Sequence, residues 1–347
     1  MGRRDALQAD PNAMEVNTIG TKSMTEFSRR RWLKIMGAGA FAGIAGLTAV
    51  GGGAQAAAAA GRKRVMRVAH ITDIHIEPEK GATEGFTKCL HHVQSLPDKP
   101  ELILFGGDCI FDSLAQDDAR TQLQWDLWHN TLSQECSLPF EPCLGNHDIW
   151  GWKKTESHTT GEEPHYGKQR ALEALGLARS YRSFDRGGWH FVVLDSIFPW
   201  RDGYKGRLDD GQYAWLESDL AAVSEKTPIL ILSHIPIFSV TPLVDRGSIA
   251  TGDYFISGVS MHIDYHRFRD LFKKHRNVKV CLSGHTHLID RVDYAGVTYL
   301  CNGAVSGNWW NGPNGEGDCL EGYAVLDLYD DGSFDHAYIP YGWTARA

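Results

Sequence analysis

The chain has no excess of basic residues, and no lysine- or arginine-rich run lies in its body. Its 35 Lys and Arg residues are outnumbered by 43 Asp and Glu residues, which gives a net charge of −8 at pH 7. Proteins that bind nucleic acids usually present a basic face to the phosphates, so stable nucleic-acid binding is not expected. The apolar fraction of 42% and the charged fraction of 22% are ordinary for a soluble globular protein.

The cysteines lack the spacings that are typical of zinc sites and of catalytic thiols. Among the seven there is no pair with zinc-ribbon spacing, and none is placed like a nucleophile beside a base. An odd number leaves at least one thiol free, and most of them are expected to be small buried side chains. Cys281 and Cys301 lie in neighbouring predicted strands and are candidates for a disulfide in an oxidising compartment.

The one long apolar segment, Ile35–Val50, is too short to cross a membrane, because its residues at ~1.5 Å each do not span a ~30 Å hydrocarbon core. It follows Ser28–Lys34 (SRRRWLK), which resembles a twin-arginine export motif, and precedes the small-x-small cleavage pattern Ala54-Gln55-Ala56. Residues 1–56 are therefore interpreted as a disordered N-terminus plus a cleaved signal peptide. The twin-arginine translocation machinery is the expected export partner, and the mature protein is expected to be periplasmic or otherwise extracytoplasmic, without a membrane anchor. The alternative is an uncleaved leader that tethers the protein.

Five short segments between residues 73 and 287 are rich in Asp, Asn and His. Four of them directly follow a run of apolar, partly β-branched residues, which predicts that they lie at the ends of buried strands. Helical segments separate the strands, so right-handed crossovers and a largely parallel core are expected, with ligands at the carboxyl ends of the strands. The segments are Asp73-Ile74-His75, Gly107-Asp108, Gly145-Asn146-His147-Asp148, His234 and Gly284-His285-Thr286-His287.

The rest of the pattern predicts five helices, three β-hairpins and two inserts. The helices are expected over 84–96, 115–134, 168–177, 209–224 and 264–275, with Leu123, Leu127 and Leu132 on the apolar face of the second. Turn-forming residues predict hairpins over 181–194, 289–301 and 322–339. The inserts at 149–168 and 239–260 are irregular, and the first is expected to be a lid or a pocket wall.

Each polar segment, taken alone, has an ordinary structural explanation. Asp73 and His75 are close enough in the chain to reach one ion, but Asp-x-His is also a common loop sequence. Asp108 follows two glycines and either bridges two cations or occupies a turn. A histidine beside a buried strand, such as His234, is usually packed and hydrogen-bonded. The joint occurrence of these residues favours two neighbouring divalent cations bound by oxygen and imidazole ligands.

Together the segments resemble those of the calcineurin-like metallophosphoesterases over residues 67 to about 290, and especially bacterial phosphodiesterase-type members such as the cyclic-nucleotide phosphodiesterase branch. The resemblance implies an α/β fold, a four-layer α/β/β/α sandwich with two facing mixed β-sheets. Its core is expected over 62–295, with β-strands in 296–347 completing the sandwich. It also implies two divalent metal ions, and Mn, Fe and Zn all suit mixed nitrogen and oxygen ligands.

The resemblance also divides the ligands between the two cations. It assigns one cation to Asp73, His75, Asp108 and His287, and the other to Asp108, Asn146, His234 and His285, with Asp108 bridging. His147 is left unligated near the leaving group, where it donates a proton, and Asp148 is a candidate either to orient His147 or to cap a turn. Phe111 stands where purple acid phosphatases have a tyrosinate ligand, so their charge-transfer iron site is not expected.

The implied activity is hydrolysis of a small phosphoester. A phosphodiester or a phosphomonoester is cleaved by in-line attack of a hydroxide shared by the two cations. One alternative is a phosphomonoesterase or nucleotidase of the same fold. Another, from a different class, is a non-catalytic protein that binds a phosphate ligand through its metals. Tryptophans that flank the site either stack on a base or sugar or pack under loops; they are Trp150, Trp152, Trp309 and Trp310.

Overall fold

The computed structural model describes residues 61–244, 252–312 and 319–344. The predicted leader at 1–56 lies outside these residues. In the part described, no helix is both long and apolar enough to cross a lipid bilayer.

Thirteen strands and six α-helices are found in the described residues. The strands are β1 (Arg64–Ile71), β2 (Leu102–Phe105), β3 (Phe140–Pro142), β4 (Arg182–Arg186), β5 (Trp189–Val193), β6 (Ile197–Trp200), β7 (Gly203–Gly206), β8 (Ile229–Leu232), β9 (Val278–Ser283), β10 (Ile289–Tyr294), β11 (Val297–Asn302), β12 (Gly322–Tyr329) and β13 (Phe334–Pro340). The helices are α1 (Ala82–Gln94), α2 (Asp118–Glu135), α3 (Lys154–Ser157), α4 (Lys168–Ala174), α5 (Asp210–Ala222) and α6 (Tyr265–Lys274).

The larger strands form two mixed sheets. In the first, the order is β13-β12-β1-β2-β3, with β1, β2 and β3 parallel and the other pairs antiparallel. In the second, the order is β10-β11-β9-β8-β5-β4, with a parallel centre flanked by antiparallel edge pairs. Strands β6 and β7 form a separate hairpin. The parallel centres place the carboxyl ends of several strands at one edge of each sheet.

Three apolar layers hold the sheets and helices together. One layer joins the first sheet to α1 and α2, through side chains such as Phe105, Phe86 and Trp128. A second layer lies between the two sheets, and the third joins the second sheet to α5 and α6. Alternate residues of a strand such as Ile229–Leu232 therefore belong to different layers, as the two faces of a buried strand require. This arrangement confirms the predicted α/β/β/α sandwich.

The buried face of α2 differs from the prediction. Of the three leucines expected there, Leu132 is buried, Leu127 is partly buried and Leu123 is 44% exposed. Trp125 and Trp128 fill the core instead, and Trp128 packs against aromatic rings of α1 and β2. The two indoles bury more apolar area than leucines in their place, so they set the rotation of the helix. The assignment of Leu123 to the core was wrong.

The three predicted hairpins are confirmed as the antiparallel pairs β4–β5, β10–β11 and β12–β13. The insert at 149–168 is more regular than expected, because it contains α3 and a bridge between Trp150 and Gly167. The insert therefore forms an ordered wall beside the first sheet.

The candidate disulfide between Cys281 and Cys301 is not formed, and all seven cysteines are free. The register of β9 and β11 places Cys281 beside Tyr299 and Cys301 beside Ser283, so the two thiols do not face each other. The Cys301 thiol instead donates to the carbonyl of Gly284, at 3.0 Å. Adjacent strands bring two residues together only when their register matches, so these two cysteines stay unpaired, as most of the cysteines were expected to be.

Candidate metal centre

The candidate ligands come from the carboxyl ends of strands in both sheets. Asp73 and His75 follow β1, Asp108 follows β2, and Asn146 follows β3. On the second sheet, His234 follows β8, and two more histidines follow β9. Because the two sheets face each other, these strand ends meet at one place. The structure thus brings together all seven side chains that the sequence singled out as metal ligands.

The first ligand group contains Asp73, His75 and His287. The Nε2 atoms of His75 and His287 are 3.0 Å apart, and Asp73 Oδ1 lies 3.4 Å from His287 Nε2 and 3.9 Å from His75 Nε2. Asp73 and His75 are fully buried. Three ligand atoms that point at one spot in this way match what a divalent cation needs.

The second ligand group contains Asp108, His234 and His285, and Asn146 joins it. His234 Nε2 lies 3.1 Å from Asp108 Oδ2, 3.2 Å from Asn146 Oδ1 and 3.2 Å from His285 Nδ1. The same Asp108 Oδ2 is 3.7 Å from His75 Nε2 in the first group. One carboxylate oxygen therefore lies between the two groups, as a bridging ligand would.

Each ligand imidazole is oriented by a backbone carbonyl on its outer side. The outer nitrogens of His75, His234, His285 and His287 donate to the carbonyls of Phe111, Gly106, Val259 and Gly307, at 3.3, 2.8, 2.7 and 2.7 Å respectively. A carbonyl can only accept, so the hydrogen is on the outer nitrogen. This contact is the usual outer-shell partner of a metal-binding histidine, and it directs the inner nitrogen at the cation.

The charges within the site favour a cation at its centre. Burial lowers the pKa of His75 well below its usual value and brings that of His285 to about 4, so each is neutral and directs a lone pair inward. The His75 lone pair lies 3.0 Å from His287 Nε2, and the His285 lone pair lies 3.2 Å from His234 Nε2, so the inner nitrogens of each group crowd around one point where a cation would bind. At His234 burial is outweighed by the charge of Asp108, which raises the pKa to about 9, so positive charge is favoured there as well. The donor set fits two divalent cations.

Left-handed backbone conformations aim most of the ligands. Five of the seven ligand residues have φ between +49° and +72°; they are Asp73, His75, Asp108, His285 and His287. A non-glycine residue in this region costs about 1–3 kcal/mol and persists only where surrounding contacts hold it. Here hydrogen bonds between the loops stabilise these conformations. The Asp73 and His75 amides donate to the carbonyls of Gly107 and Asp108, and the His285 amide donates to the Asp73 carboxylate.

Two glycines of the motifs are required by close packing rather than by backbone freedom. A Cβ on Gly284 would lie 2.0 Å from Asp73 Oδ2, and a Cβ on Gly145 would lie 2.1 Å from Asp108 Oδ1. Neither position has a positive φ that would need glycine. The glycine beside each histidine or asparagine ligand therefore leaves room for a carboxylate ligand from another loop.

His147 lies next to the ligands without belonging to either group. Its Nδ1 contacts Asp112 Oδ1 at 3.0 Å, and its ring centre is 5.1 Å from that of His75. Its backbone amide donates to Asp108 Oδ1, at 2.7 Å. Burial opposes protonation, but the charges of Asp108 and Asp112 outweigh it and raise the pKa of His147. His147 is thus fixed at the edge of the first group, in surroundings that favour its protonated form.

Of the two alternatives for Asp148, its hydrogen bonds match the capping of a turn rather than a contact with the His147 side chain. Its buried carboxylate accepts from the backbone amides of Cys109, Ile110 and Gly145, at 2.8, 3.3 and 2.8 Å. Burial and the charge of Asp108 raise its pKa to about 7. Asp148 thus connects the loop after β2 to the loop after β3 by hydrogen bonds.

The carboxylate that contacts the His147 side chain is that of Asp112, a residue outside the motifs. It lies four positions after Asp108, and only its acidic character marked it out. Its carboxylate also accepts from the amides of Leu114 and Ala115, which fixes its orientation. A fixed carboxylate on Nδ1 leaves the His147 Nε2 as the nitrogen available to a substrate.

The flanking tryptophans mostly pack under loops. Trp310 is fully buried and donates to the carbonyls of Ile74 and His75, and Trp150 donates to that of Gln116. Trp152 lies 5.8 Å from the Lys168 ammonium in a cation–π contact. Trp309 is the exception, because its ring centre lies 3.9 Å from that of His75 and 4.9 Å from those of His147 and His287. Trp309 therefore covers the first ligand group.

Comparison with known proteins agrees with this geometry. Residues 66–288 match the family model described as calcineurin-like phosphoesterase. A 3′,5′-cyclic-nucleotide phosphodiesterase of Nostoc sp. is 24% identical, over 78% of this chain and 91% of that protein. The 3′,5′-cyclic adenosine monophosphate phosphodiesterase CpdA of Escherichia coli is also 24% identical, over 79% of this chain and 89% of its own length.

Further similarities extend to a plant phosphatase and to a solved structure. Purple acid phosphatase 21 of Arabidopsis thaliana is 27% identical, over 61% of this chain and 46% of that protein. A dimetal phosphatase from Danio rerio shares the fold, with a TM-score of 0.53 at 14% identity, over 81% of this chain and 100% of that one. The family match covers more than half of the sequence and includes every candidate ligand. The chain therefore belongs to the calcineurin-like phosphoesterases, and it is a hydrolase that acts on phosphoesters.

Proposed function

We propose that this hydrolase is an exported phosphodiesterase that uses two divalent cations, and that its substrates include 3′,5′-cyclic nucleotides. The observation that carries the metal dependence is the position of Asp108 Oδ2, at 3.1 Å from His234 Nε2 and 3.7 Å from His75 Nε2. The relatives from Nostoc and Escherichia coli carry the names of cyclic-nucleotide phosphodiesterases, so this substrate class is the first to test.

The residues present would hold the two cations without rearrangement of the fold. Asp73, His75 and His287 would hold one, Asn146, His234 and His285 the other, and Asp108 both. Bound there, Mn, Fe or Zn ions supply Lewis acidity for the phosphoryl oxygens and lower the pKa of a water to give a nucleophile. The backbone carbonyls that accept hydrogen bonds from the outer imidazole nitrogens keep the histidine ligands in place while substrate is exchanged.

His147 supplies the proton that the departing oxygen needs. Asp112 holds its Nδ1 side, so that Nε2 is free, and the contact between the His147 amide and Asp108 fixes the loop relative to the ligands. A general acid held in this way contributes about 10²–10⁴-fold to the rate. This role is most important for diesters whose leaving group is an alkoxide.

Removal of the metal tests the proposed function directly. Dialysis against a chelator is expected to bring hydrolysis of bis-p-nitrophenyl phosphate and cyclic AMP to background, and Mn²⁺, Fe²⁺ or Zn²⁺ is expected to restore it. The melting temperature is expected to fall with the metal, because ligands that bind only the folded state stabilise it. Elemental analysis and substrate turnover are measured on the same samples, with p-nitrophenyl phosphate as the monoester comparison.

Three results would contradict the proposal. Turnover that survives complete metal removal would exclude the metal-dependent mechanism. Full metal occupancy without turnover across diesters and monoesters would instead support a phosphate-binding protein. Hydrolysis of the monoester alone would identify a phosphomonoesterase or nucleotidase.

Export is a separate part of the proposal and is supported by the leader sequence alone. Replacing Arg29 and Arg30 by lysine is expected to retain the protein in the cytoplasm, because the motif Ser28–Lys34 resembles a twin-arginine signal. Cell fractionation measures this, and N-terminal sequencing of the periplasmic product is expected to begin after Ala56. An intact N-terminus on the exported protein would instead favour the membrane-tethered alternative.

A further inference from the structure

The β6–β7 hairpin places a tyrosine ring beside the second ligand group. The ring centre of Tyr204 lies 6.1 Å from that of His285, with the rings nearly perpendicular at 80°. One side of the Tyr204 ring packs against the core layer that includes Ile197 and Ile235. Among the residues that the structure describes, the Tyr204 hydroxyl has no hydrogen-bond partner. It is therefore a polar group beside the site with an unused donor.

The position of Tyr204 is tied to the ligands by the backbone on both sides of the hairpin. Gly206 in β7 donates to the carbonyl of Gly258 at 2.8 Å, and the carbonyl of the next residue, Val259, accepts from His285 Nε2 at 2.7 Å. At the start of the hairpin, the Ser196 hydroxyl accepts from the amide of Ile235, which follows ligand His234. Tyr204 and the second ligand group are thus fixed relative to one another.

Packing alone does not explain a tyrosine at this position. Phenylalanine would make the same contacts with the apolar core and would leave no polar group partly desolvated without a partner. A tyrosine hydroxyl carries its proton at neutral pH, so it acts as a donor. A donor close to a site that receives a phosphoryl group can find a charged acceptor there.

We propose that Tyr204 is a substrate-binding residue, and that its hydroxyl donates a hydrogen bond to a non-bridging phosphoryl oxygen at the second ligand group. The proposal rests on the proposed phosphoesterase function and deepens it. Proton donation and phosphoryl binding then take place at different ligand groups. His147 and Trp309 contact the first group through His75, whereas Tyr204 contacts the second through His285. The phosphoryl group is then oriented on one side and the leaving group protonated on the other.

The variant Tyr204→Phe tests this, because it removes the hydroxyl and keeps the ring. With a diester substrate we expect kcat/KM to fall about 10- to 100-fold, the range of one hydrogen bond to a charged group. Isothermal titration of the Mn²⁺-loaded protein with inorganic phosphate is expected to show a similar loss of affinity. Metal content and melting temperature are expected to match those of the unaltered protein.

The matched control is Tyr213→Phe, which removes a hydroxyl that donates to the Arg267 carbonyl, between the outer helices. It is expected to leave phosphate affinity unchanged. A Tyr204→Phe variant with unaltered phosphate affinity and kinetics, together with a destabilised Tyr204→Ala variant, would assign the ring to packing alone and overturn the proposal. If the unaltered protein binds phosphate but hydrolyses no phosphoester, the proposed function fails, and the titration still decides the role of Tyr204.

Discussion

Replacing Asp108 by asparagine is expected to lower kcat/KM for phosphodiesters by roughly a thousandfold or more. The carboxylate lies between the two ligand groups, and Asp108 Oδ1 also accepts from the His147 amide. Asparagine keeps the shape but removes the negative charge that two neighbouring cations share. Two-cation catalysis provides several kcal/mol of transition-state stabilisation, and each ~1.4 kcal/mol corresponds to a factor of ten in rate.

The measurement pairs steady-state kinetics with elemental analysis, and the Asp108→Asn protein is expected to bind fewer than two metal ions. Asp219→Asn is the matched control, because Asp219 is a partly buried carboxylate that contacts His190 and Ser183, remote from the ligands in the fold. It is expected to keep full metal content and activity. An Asp108→Asn protein that retains turnover close to that of the unaltered enzyme would exclude a bridging role for this residue.

Replacing His147 by glutamine is expected to reduce kcat according to the leaving group. For a cyclic nucleotide, whose leaving oxygen is an alkoxide, the loss is expected to be about 10²–10⁴-fold, the usual contribution of a general acid. For bis-p-nitrophenyl phosphate the loss is expected to be much smaller, because p-nitrophenolate departs without protonation. Metal content is expected to stay unchanged, since His147 belongs to neither ligand group.

Two neighbouring carboxylates provide controls for the His147 experiment. Asp112→Asn weakens the contact to Nδ1 and is expected to cause a smaller loss with the same dependence on leaving group. Asp148→Asn disturbs the contacts to the amides of Cys109 and Gly145, so it is expected to lower stability without that dependence. Equal losses for both substrates in His147→Gln, or a loss of metal, would contradict a proton-donating role.

The positions of strands and hairpins followed from local patterns in the sequence, whereas the four-layer arrangement was implied by the family resemblance. Apolar runs such as Ile229–Leu232 mark buried strands, and the turn residues Asp330-Asp331-Gly332 mark the β12–β13 hairpin, because both signals act over a few neighbouring residues. The rotation of α2 was predicted wrongly for Leu123, since the face of a helix that becomes buried depends on the partner it meets. Here the partners are the aromatic rings of α1 and β2.

For the site, too, local sequence features predicted some residues, and others became apparent only from tertiary contacts. The motifs named the seven side chains that converge, because the residue types and their positions after strands are local features. They did not identify Asp112 as the partner of His147, because that contact depends on how the loops after β2 and β3 cross. Nor did they indicate Tyr204, which reaches His285 from a hairpin outside every motif.

By itself, therefore, the sequence determined which elements form, which residues are chemically suited to hold cations, and where each lies along its strand. Only the tertiary structure decided how the loops interlock in left-handed conformations, which carboxylate holds His147, and that Cys281 and Cys301 stay free. The physical reason is distance along the chain. Strand, helix and turn preferences act between near neighbours, whereas register and loop crossing depend on the packing of two whole sheets.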